Sequence, residues 1–109
     1  MSVQELGELL LDPSDSNEVQ FVDVREPEEY SMVSLPNFKL WPLQRISEWA
    51  ELVTEELDIS KPTVVLCHHG MRSMYVSSFL VSRGFQQVSN VSGGIDAYSQ
   101  LVDPSVPRY

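Results

Sequence analysis

The sequence predicts an α/β domain built on a mostly parallel sheet, and three observations predict it. The chain has 109 residues, enough for one domain with a single core. Short β-branched runs alternate with segments of helical periodicity, as in sheets whose parallel strands are joined by right-handed helical crossovers. The run "TVVLC" is apolar without alternation, which is typical of a strand buried on both faces.

The first elements are marked by their ends. "SVQE" at residues 2–5 is a capping box that predicts a short helix with its leucines turned inward. "DPSDSN" at 12–17 has the composition of a turn. "VQFVDV" at 19–24 predicts a strand that ends in charged residues.

The middle of the chain predicts two helices around a short strand. In "EPEEY", Pro27 stands at a first helical position with acids in the first turn, where the helix dipole favours them. A very short strand is predicted near 38–40, with Pro42 as its stop. Apolar residues at helical spacing then predict one amphipathic helix over roughly 44–57.

The second half of the chain begins with the buried strand at 63–67. A helix is predicted from Arg72 to Arg83, ended by Gly84. Three segments follow: a short strand in "QVSNV", a glycine-opened helix in "GGIDAYSQL" and an extended, proline-rich tail in "VDPSVPRY".

Charge and composition exclude several classes of function. The net charge is −9, and residues 1–60 carry 14 acids and 3 bases, whereas residues 61–109 carry 2 acids and 4 bases. This balance argues against nucleic acid or an anionic membrane as a partner. No apolar run approaches the roughly 20 residues of a membrane span. The single cysteine excludes an internal disulfide and fits a reducing compartment, so we expect a cytoplasmic protein, or a stromal one if a plastid transit peptide has been removed.

The stretch "LCHHGMRS" contains the candidate nucleophile. Cys67 is predicted at the carboxyl end of a parallel strand, where ligands bind on such sheets, and just before a helix N-terminus. Free N–H groups and the helix dipole favour a thiolate there. Gly70 lets the loop amides form an anion-binding nest, and Arg72 adds a permanent charge with a planar fork of donors. The alternative is a buried structural cysteine, which is a common role for this residue.

His68 and His69 allow two interpretations. They could act as acid–base groups near neutral pH or orient a leaving group. Adjacent loop histidines are more often partly exposed and without a catalytic role. One cysteine and two neighbouring histidines do not form a tetrahedral zinc site, and the sequence offers no second ligand cluster, so we expect no metal and no cofactor.

Three motifs in order carry a family resemblance. "FVDVREPEEY", "LCHHGMRS" and "VSNVSGGIDAY" resemble the motifs of single-domain rhodanese-like sulfurtransferases, especially those of cyanobacteria and plant plastids. The likeness runs from about Val3 to Tyr109, so one such domain is expected over residues 1–109. It implies a central parallel sheet of about five strands flanked by helices on both faces.

The resemblance also implies site residues. Cys67 would carry a persulfide, and the loop around it would bind the donor anion through His68, His69, Gly70, Met71, Arg72 and Ser73. Asp23 would hold neighbouring loops by charge-assisted hydrogen bonds, while Arg25 and Glu26 would pair near the pocket rim. Gly93 and Gly94 match the glycine turn before the last helix, and their expected role is structural.

Two departures bear on the substrate. The segment "SMVSLPNF" stands where many family members have "HIPGA", with Asn37 where glycine is common, so the pocket wall near Met32 and Trp41 is expected to differ. Four residues separate Cys67 from Arg72. The related phosphatases and arsenate reductases resemble a Cys-x5-Arg pattern, one residue longer, so the shorter loop favours sulfur transfer.

The sequence therefore leads to three hypotheses. The first is a sulfurtransferase that moves a sulfane sulfur from a small-molecule donor such as thiosulfate, through Cys67, to cyanide, a thiol or a protein acceptor. The second is a binding or regulatory module whose surface is formed by Trp41, Trp49 and the acidic first half of the chain, although the apolar helical stripe around Trp49 favours a core position for it. The third is a redox sensor based on oxidation of Cys67 without sulfur transfer.

Overall fold

A four-stranded parallel sheet forms the centre of the computed structural model, which describes residues 1–12, 14 and 17–109. The strands lie in the order β2-β1-β3-β4. Their bounds are Gln20–Asp23 for β1, Lys39–Leu40 for β2, Thr63–Leu66 for β3 and Val88–Asn90 for β4. The predicted fold class is confirmed, with four strands among the described residues instead of about five. Residues Val3–Leu11, ahead of β1, form a helix that the capping box begins.

Strand β3 occupies an interior position in the sheet. It pairs with β1 from Gln20↔Thr63 to Asp23↔Leu66 and with β4 on its other side. All four of its residues are buried, as the unalternating apolar run predicts. The residue that follows β3, Cys67, therefore lies at the carboxyl edge of the sheet, between the ends of its two neighbours.

Helices cover both faces of the sheet. Within the described residues the α-helices are α1 Val3–Leu11, α2 Pro27–Met32, α3 Ile46–Trp49, α4 Val53–Glu56, α5 Met71–Ser82 and α6 Gly94–Leu101. The predicted capping box is formed, since the Ser2 hydroxyl accepts from the Glu5 N–H at 3.1 Å while the Ser2 N–H donates to the Glu5 carboxylate at 3.0 Å. Successive strand residues alternate between two apolar clusters, one on each face. Val64 and Leu66 pack with α1 and α6, and Val65 packs with α3, α4 and α5.

The predicted helix over 44–57 is interrupted. The short helices α3 and α4 alternate there with 3₁₀ turns at Leu43–Arg45 and Ala50–Leu52. The Trp49 indole donates to the Pro42 carbonyl at 2.9 Å, and its ring lies 5.2 Å from that of Trp41 and 6.0 Å from that of Phe79. Trp49 is 7% exposed, so its core position is confirmed. Tertiary packing of this ring, which periodicity does not encode, accompanies the irregular backbone.

The last residues also differ from the prediction. The tail is not simply extended, because the Val106 N–H donates to the Asp103 carbonyl at 3.1 Å and closes a turn. This turn leads Arg108 and Tyr109 back toward the carboxyl edge of the sheet. Residues 13, 15 and 16 of the turn predicted at 12–17 lie outside the described residues. No helix in the described part of the chain is both long and apolar enough to cross a bilayer.

Candidate functional site

Cys67 is held at the end of β3 by the start of α5. The Gly70 N–H donates to the Cys67 Sγ at 3.0 Å, and the thiol donates to the Ser73 Oγ at 3.3 Å. Gly70 has φ +103°, in the left-handed region that favours glycine, and it caps α5. The thiol is almost fully covered, since Cys67 is 1% exposed. A backbone N–H and a hydroxyl thus contact the sulfur. The sequence predicted loop amides around the sulfur and did not predict the contact with the hydroxyl of Ser73.

Asn90 connects the Cys67 loop, residues 67–72, to strand β4. The Ser73 hydroxyl donates to the Asn90 Oδ1, and the Asn90 Nδ2 donates to the Gly70 carbonyl at 3.3 Å. Sequence reasoning did not single out Asn90. The available signal was its place at the carboxyl end of a strand beside β3, where site residues collect on parallel sheets.

Arg72 is engaged by a carboxylate. Its Nη1 and Nη2 atoms donate to the two Glu29 oxygens at 2.6 and 2.9 Å, a bidentate pair between α5 and α2. The pKa of Glu29 is lowered to about 2, chiefly because Arg72 donates these hydrogen bonds. The same bonds raise the pKa of Arg72, and the nearby charge of Cys67 adds to this effect. The fork that was expected to bind a donor anion is therefore occupied by Glu29, which the sequence analysis had not selected.

Arg25 is paired with Asp23 and not with Glu26. Its Nη2 lies 2.7 Å from the Asp23 Oδ2, and both side chains are fully buried. Glu26 is exposed at the start of α2, whereas Asp23 ends the adjacent strand and presents both oxygens to the guanidinium. The expected Arg25–Glu26 pair at the rim is thus wrong. The remaining Arg25 donors bind the Glu29 and Val33 carbonyls.

Tyr109 joins these two ion pairs. Its hydroxyl donates to the Glu29 Oε2 at 2.6 Å and accepts from the Arg25 Nη1 at 3.0 Å. Its ring stacks on His68 with centroids 3.9 Å apart and planes 11° apart. Burial is the main cause that raises the pKa of Tyr109 to about 12, so the hydroxyl stays protonated at neutral pH. No local sequence signal marks this residue, because its hydrogen-bond partners Arg25 and Glu29 lie 84 and 80 positions away.

The two histidines form a stack with Tyr109. The His68 and His69 rings lie 3.9 Å apart, and burial is the main cause that lowers the pKa of His68, which favours its neutral form. His69 Nε2 lies 3.7 Å from the Asp96 Oδ2. The fold therefore places next to the histidines a carboxylate that the sequence did not predict there. Asp96 already accepts from Arg108 at 3.0 Å and from Gln100 at 2.9 Å. Because these two hydrogen bonds already engage the Asp96 carboxylate, we assign no metal to this cluster.

The glycine turn before α6 lies directly against the Cys67 loop. Gly93 and Gly94 have φ +78° and +62°, and a Cβ on Gly94 would lie 2.4 Å from the carbonyl oxygens of Cys67 and His68. The Ile95 N–H donates to the Cys67 carbonyl at 2.9 Å. The first turn of α6 thus fixes the loop backbone, in agreement with the structural role expected for both glycines.

The segment "SMVSLPNF", which differs from the usual family motif, contains a residue with a left-handed backbone conformation. Asn37 has φ +72°, a left-handed conformation that asparagine tolerates better than most residues with a Cβ. It can therefore adopt the backbone conformation usually given to glycine. Met32 is 58% exposed, and Trp41 packs beside Trp49; the effect of these residues on a pocket wall stays a prediction.

The Glu29–Arg72 pair makes a pH-dependent contribution to stability. The pKa of Glu29 is about 2 in the folded protein against an ordinary 4.5, so the contribution is complete above about pH 4.5 and is lost as the pH falls toward 2. Discounted for partial exposure, it amounts to roughly 2–3 kcal/mol. Urea unfolding of the wild type and of Glu29→Gln at pH 6 and pH 3 should show a difference that shrinks in acid. Glu28→Gln, an exposed position on the same helix, is the control; a difference that is constant with pH would contradict the assignment.

Comparison with known proteins agrees with this architecture. The family model described as "Rhodanese-like domain" matches residues 6–101. A relative from Arabidopsis thaliana, "Rhodanese-like/PpiC domain-containing protein 12, chloroplastic", is 48% identical over the whole chain, which spans 36% of that protein. "Thiosulfate sulfurtransferase GlpE" from Pseudoalteromonas translucida is 29% identical, covering 99% of this chain and 95% of its own length.

A solved structure shares the whole fold. A rhodanese-like domain protein from Staphylococcus aureus superimposes with a TM-score of 0.76 at 31% identity, covering 100% of this chain and 96% of its own. The family model spans most of the chain, and the three motifs fall on the strands, loop and helices described above. The chain belongs to the rhodanese-like domain family.

Proposed function

We propose that this protein is a sulfurtransferase that carries a sulfane sulfur as a persulfide on Cys67. The observation that carries the proposal is the placement of the only thiol of the chain between two neighbouring strand ends, with the Gly70 N–H 3.0 Å from its sulfur. A backbone N–H at this distance stabilises negative charge on the Cys67 sulfur before and after the transfer. The relative named as a thiosulfate sulfurtransferase, which the chain matches almost end to end, supports the same activity.

The reaction has two steps. In the first, the Cys67 thiolate attacks the outer sulfur of the donor, a new S–S bond forms, and the bond between that sulfur and the rest of the donor breaks. When the donor is thiosulfate, sulfite leaves with the electron pair. In the second, a thiolate, cyanide or a protein cysteine attacks the outer sulfur of the persulfide and returns Cys67 to the thiolate, so ping-pong kinetics are expected.

The neighbouring groups have distinct proposed roles. The Gly70 amide and the Ser73 hydroxyl contact the reacting sulfur, and Asn90 orients both. His68, whose burial favours its neutral form, and His69 both lie in the Cys67 loop, and we give them a positioning role. The cell compartment would be the cytoplasm or a plastid stroma, the latter in keeping with the chloroplastic relative. The partners would be a small sulfur donor and a thiol or protein acceptor, with no nucleic acid or membrane involved.

Mass spectrometry of the intact protein tests the proposal. After incubation with thiosulfate, or separately with an organic hydropersulfide, the wild type should gain the mass of one sulfur atom and lose it again on addition of cyanide. Cys67→Ala, shown to be folded by circular dichroism, should gain none. A folded wild type that gains no sulfur from either donor would overturn the proposal.

One observation favours the alternative of a binding or regulatory module without turnover. Cys67 is 1% exposed, and buried cysteines are commonly inert. Alkylation by iodoacetamide at pH 7 distinguishes the two: a sulfurtransferase should be modified at Cys67 in the native state. A thiol that reacts only in denaturant would favour the module, and it would leave sulfur loading absent as well.

A further inference from the structure

The positive charges that contact the Cys67 loop and its surroundings are each matched by a carboxylate. Arg72 is paired with Glu29, Arg25 with Asp23 and Arg108 with Asp96. His68 favours its neutral form because of its burial. Among these described groups, then, an anionic sulfur donor finds groups that can donate hydrogen bonds to it. It finds no cation whose charge is left uncompensated.

This balance disfavours a doubly charged inorganic donor. Thiosulfate would have to displace Glu29 from Arg72 or bind beside that carboxylate, and both oxygens of Glu29 are held at 2.6 and 2.9 Å by Arg72. Tyr109 donates a further hydrogen bond to Glu29 at 2.6 Å. Two like charges held close together repel, and the repulsion is strongest where solvent is partly excluded. The Glu29 side chain is 12% exposed, so water screens it little.

The surface beside the loop is apolar and would accept an organic group. Met71, Met74 and Tyr75 are 78%, 56% and 63% exposed and line a cleft of about 480 Å³ on the outer side of α5. Met71 directly follows Gly70, so the cleft begins at the loop. Flexible, polarizable methionines adapt to organic substituents of varied shape, whereas an inorganic anion gains nothing from them.

We infer that Glu29 is a specificity-determining residue: by neutralising Arg72 it biases the site against thiosulfate and toward a sulfane sulfur carried on an organic thiol. This inference rests on the proposed function. Glu29 acts through Arg72 and is a positioning residue, with no contact to the reacting sulfur. The apolar cleft would hold the organic part of the donor.

The step is balanced for such a donor. The Cys67 thiolate attacks the outer sulfur of R–S–SH. A new S–S bond forms between Cys67 and that sulfur, and the S–S bond of the donor breaks. The leaving group R–S⁻ takes the electron pair of that bond. The proton stays on the transferred sulfur or passes to the leaving thiolate, so sulfur changes carrier without any external oxidant or reductant.

The test compares two donors across three proteins: wild type, Glu29→Gln and Glu28→Gln. The donors are thiosulfate and the hydropersulfide of N-acetylcysteine methyl ester, whose only ionisable group is the persulfide. The readout is the ratio of kcat/KM for thiosulfate to kcat/KM for the hydropersulfide, a ratio that does not depend on the fraction of folded enzyme. Glu29→Gln should raise this ratio about tenfold, mainly through a lower KM for thiosulfate, the equivalent of about 1.4 kcal/mol. Glu28→Gln, which removes the same charge from an exposed position, should change it less than about twofold.

Salt dependence gives a second readout. Added salt screens repulsion, so the KM for thiosulfate should fall with ionic strength in the wild type and fall less in Glu29→Gln. A ratio and a salt slope that Glu29→Gln leaves unchanged, while both donors load Cys67, would overturn the inference alone. If neither donor loads wild-type Cys67, the proposed function fails and the inference fails with it.

The cleft has its own pair of variants. Met74→Ser should raise the KM for the hydropersulfide about threefold and leave that for thiosulfate unchanged, since it removes apolar contact only. Val81→Ser, at a 59% exposed position on the same helix that does not line the cleft, is the control. Equal effects of the two variants on the KM for the hydropersulfide would show that the cleft does not bind the organic part of the donor.

Discussion

Asp23→Ala is expected to lower the free energy of unfolding by about 3–5 kcal/mol. The change leaves the Arg25 guanidinium, fully buried in the folded protein, without the carboxylate that accepts from its Nη2 at 2.7 Å and its Nε at 3.0 Å. An unpaired buried charge is far more costly than the loss of an exposed pair. Urea titration followed by tryptophan fluorescence measures the difference.

The matched control is Glu48→Ala. Glu48 pairs with Arg45 at 3.9 Å, and the Arg45 and Glu48 side chains are 63% and 69% exposed, so its removal should cost less than about 1 kcal/mol. Similar losses for Asp23→Ala and Glu48→Ala would show that the buried pair is not what stabilises this end of the sheet.

Gly94→Ala is expected to reduce both stability and sulfur loading. A Cβ at this position would lie 2.4 Å from the carbonyl oxygens of Cys67 and His68, and both are backbone atoms that move only if the loop moves. We expect a loss of about 3 kcal/mol or more in unfolding free energy and a loading rate at least about tenfold lower. Denaturant titration and stopped-time mass spectrometry measure the two effects.

Gly84→Ala separates crowding from backbone strain. Gly84 also has a positive φ, +97°, but a Cβ there meets only the Ile59 Cδ1 at 4.0 Å. It should therefore show only the conformational cost of about 1–2 kcal/mol and retain normal loading. If Gly94→Ala behaved like Gly84→Ala, the contact between α6 and the Cys67 loop would not be required for the site.

The parts of the molecule that the sequence predicts well are those set by neighbours in the chain. The helix cap at Ser2, the buried strand β3 and the place of Cys67 after it depend on a few adjacent residues. The contact between the Gly70 N–H and the Cys67 sulfur spans three residues, and the loop motif predicted an anion-binding nest of amides at this place without naming the Gly70 N–H. The family resemblance, which the comparisons confirm, depends on motifs of the same local kind.

The parts that could not be predicted depend on pairs far apart in sequence. Arg72 meets Glu29 across 43 positions, and Tyr109 meets Glu29 across 80, so nothing in the loop motif revealed that its arginine is neutralised. The choice of Asp23 over Glu26 as the partner of Arg25 depends on which side chain the sheet buries. The interrupted segment from Leu43 to Glu56 likewise follows from where the Trp49 ring packs.

The bridge made by Tyr109 has a consequence for synthesis on the ribosome. The thiol, its loop and the acid that neutralises Arg72 are all translated well before residue 109, whose hydroxyl contacts both Arg25 and Glu29. A nascent chain from which strands β1 to β4 have already emerged still lacks both of these contacts. Until translation reaches Tyr109, His68 in the Cys67 loop lacks the aromatic ring that stacks on it, and we expect electrophiles that meet the emerging chain to reach this loop more easily than in the folded domain.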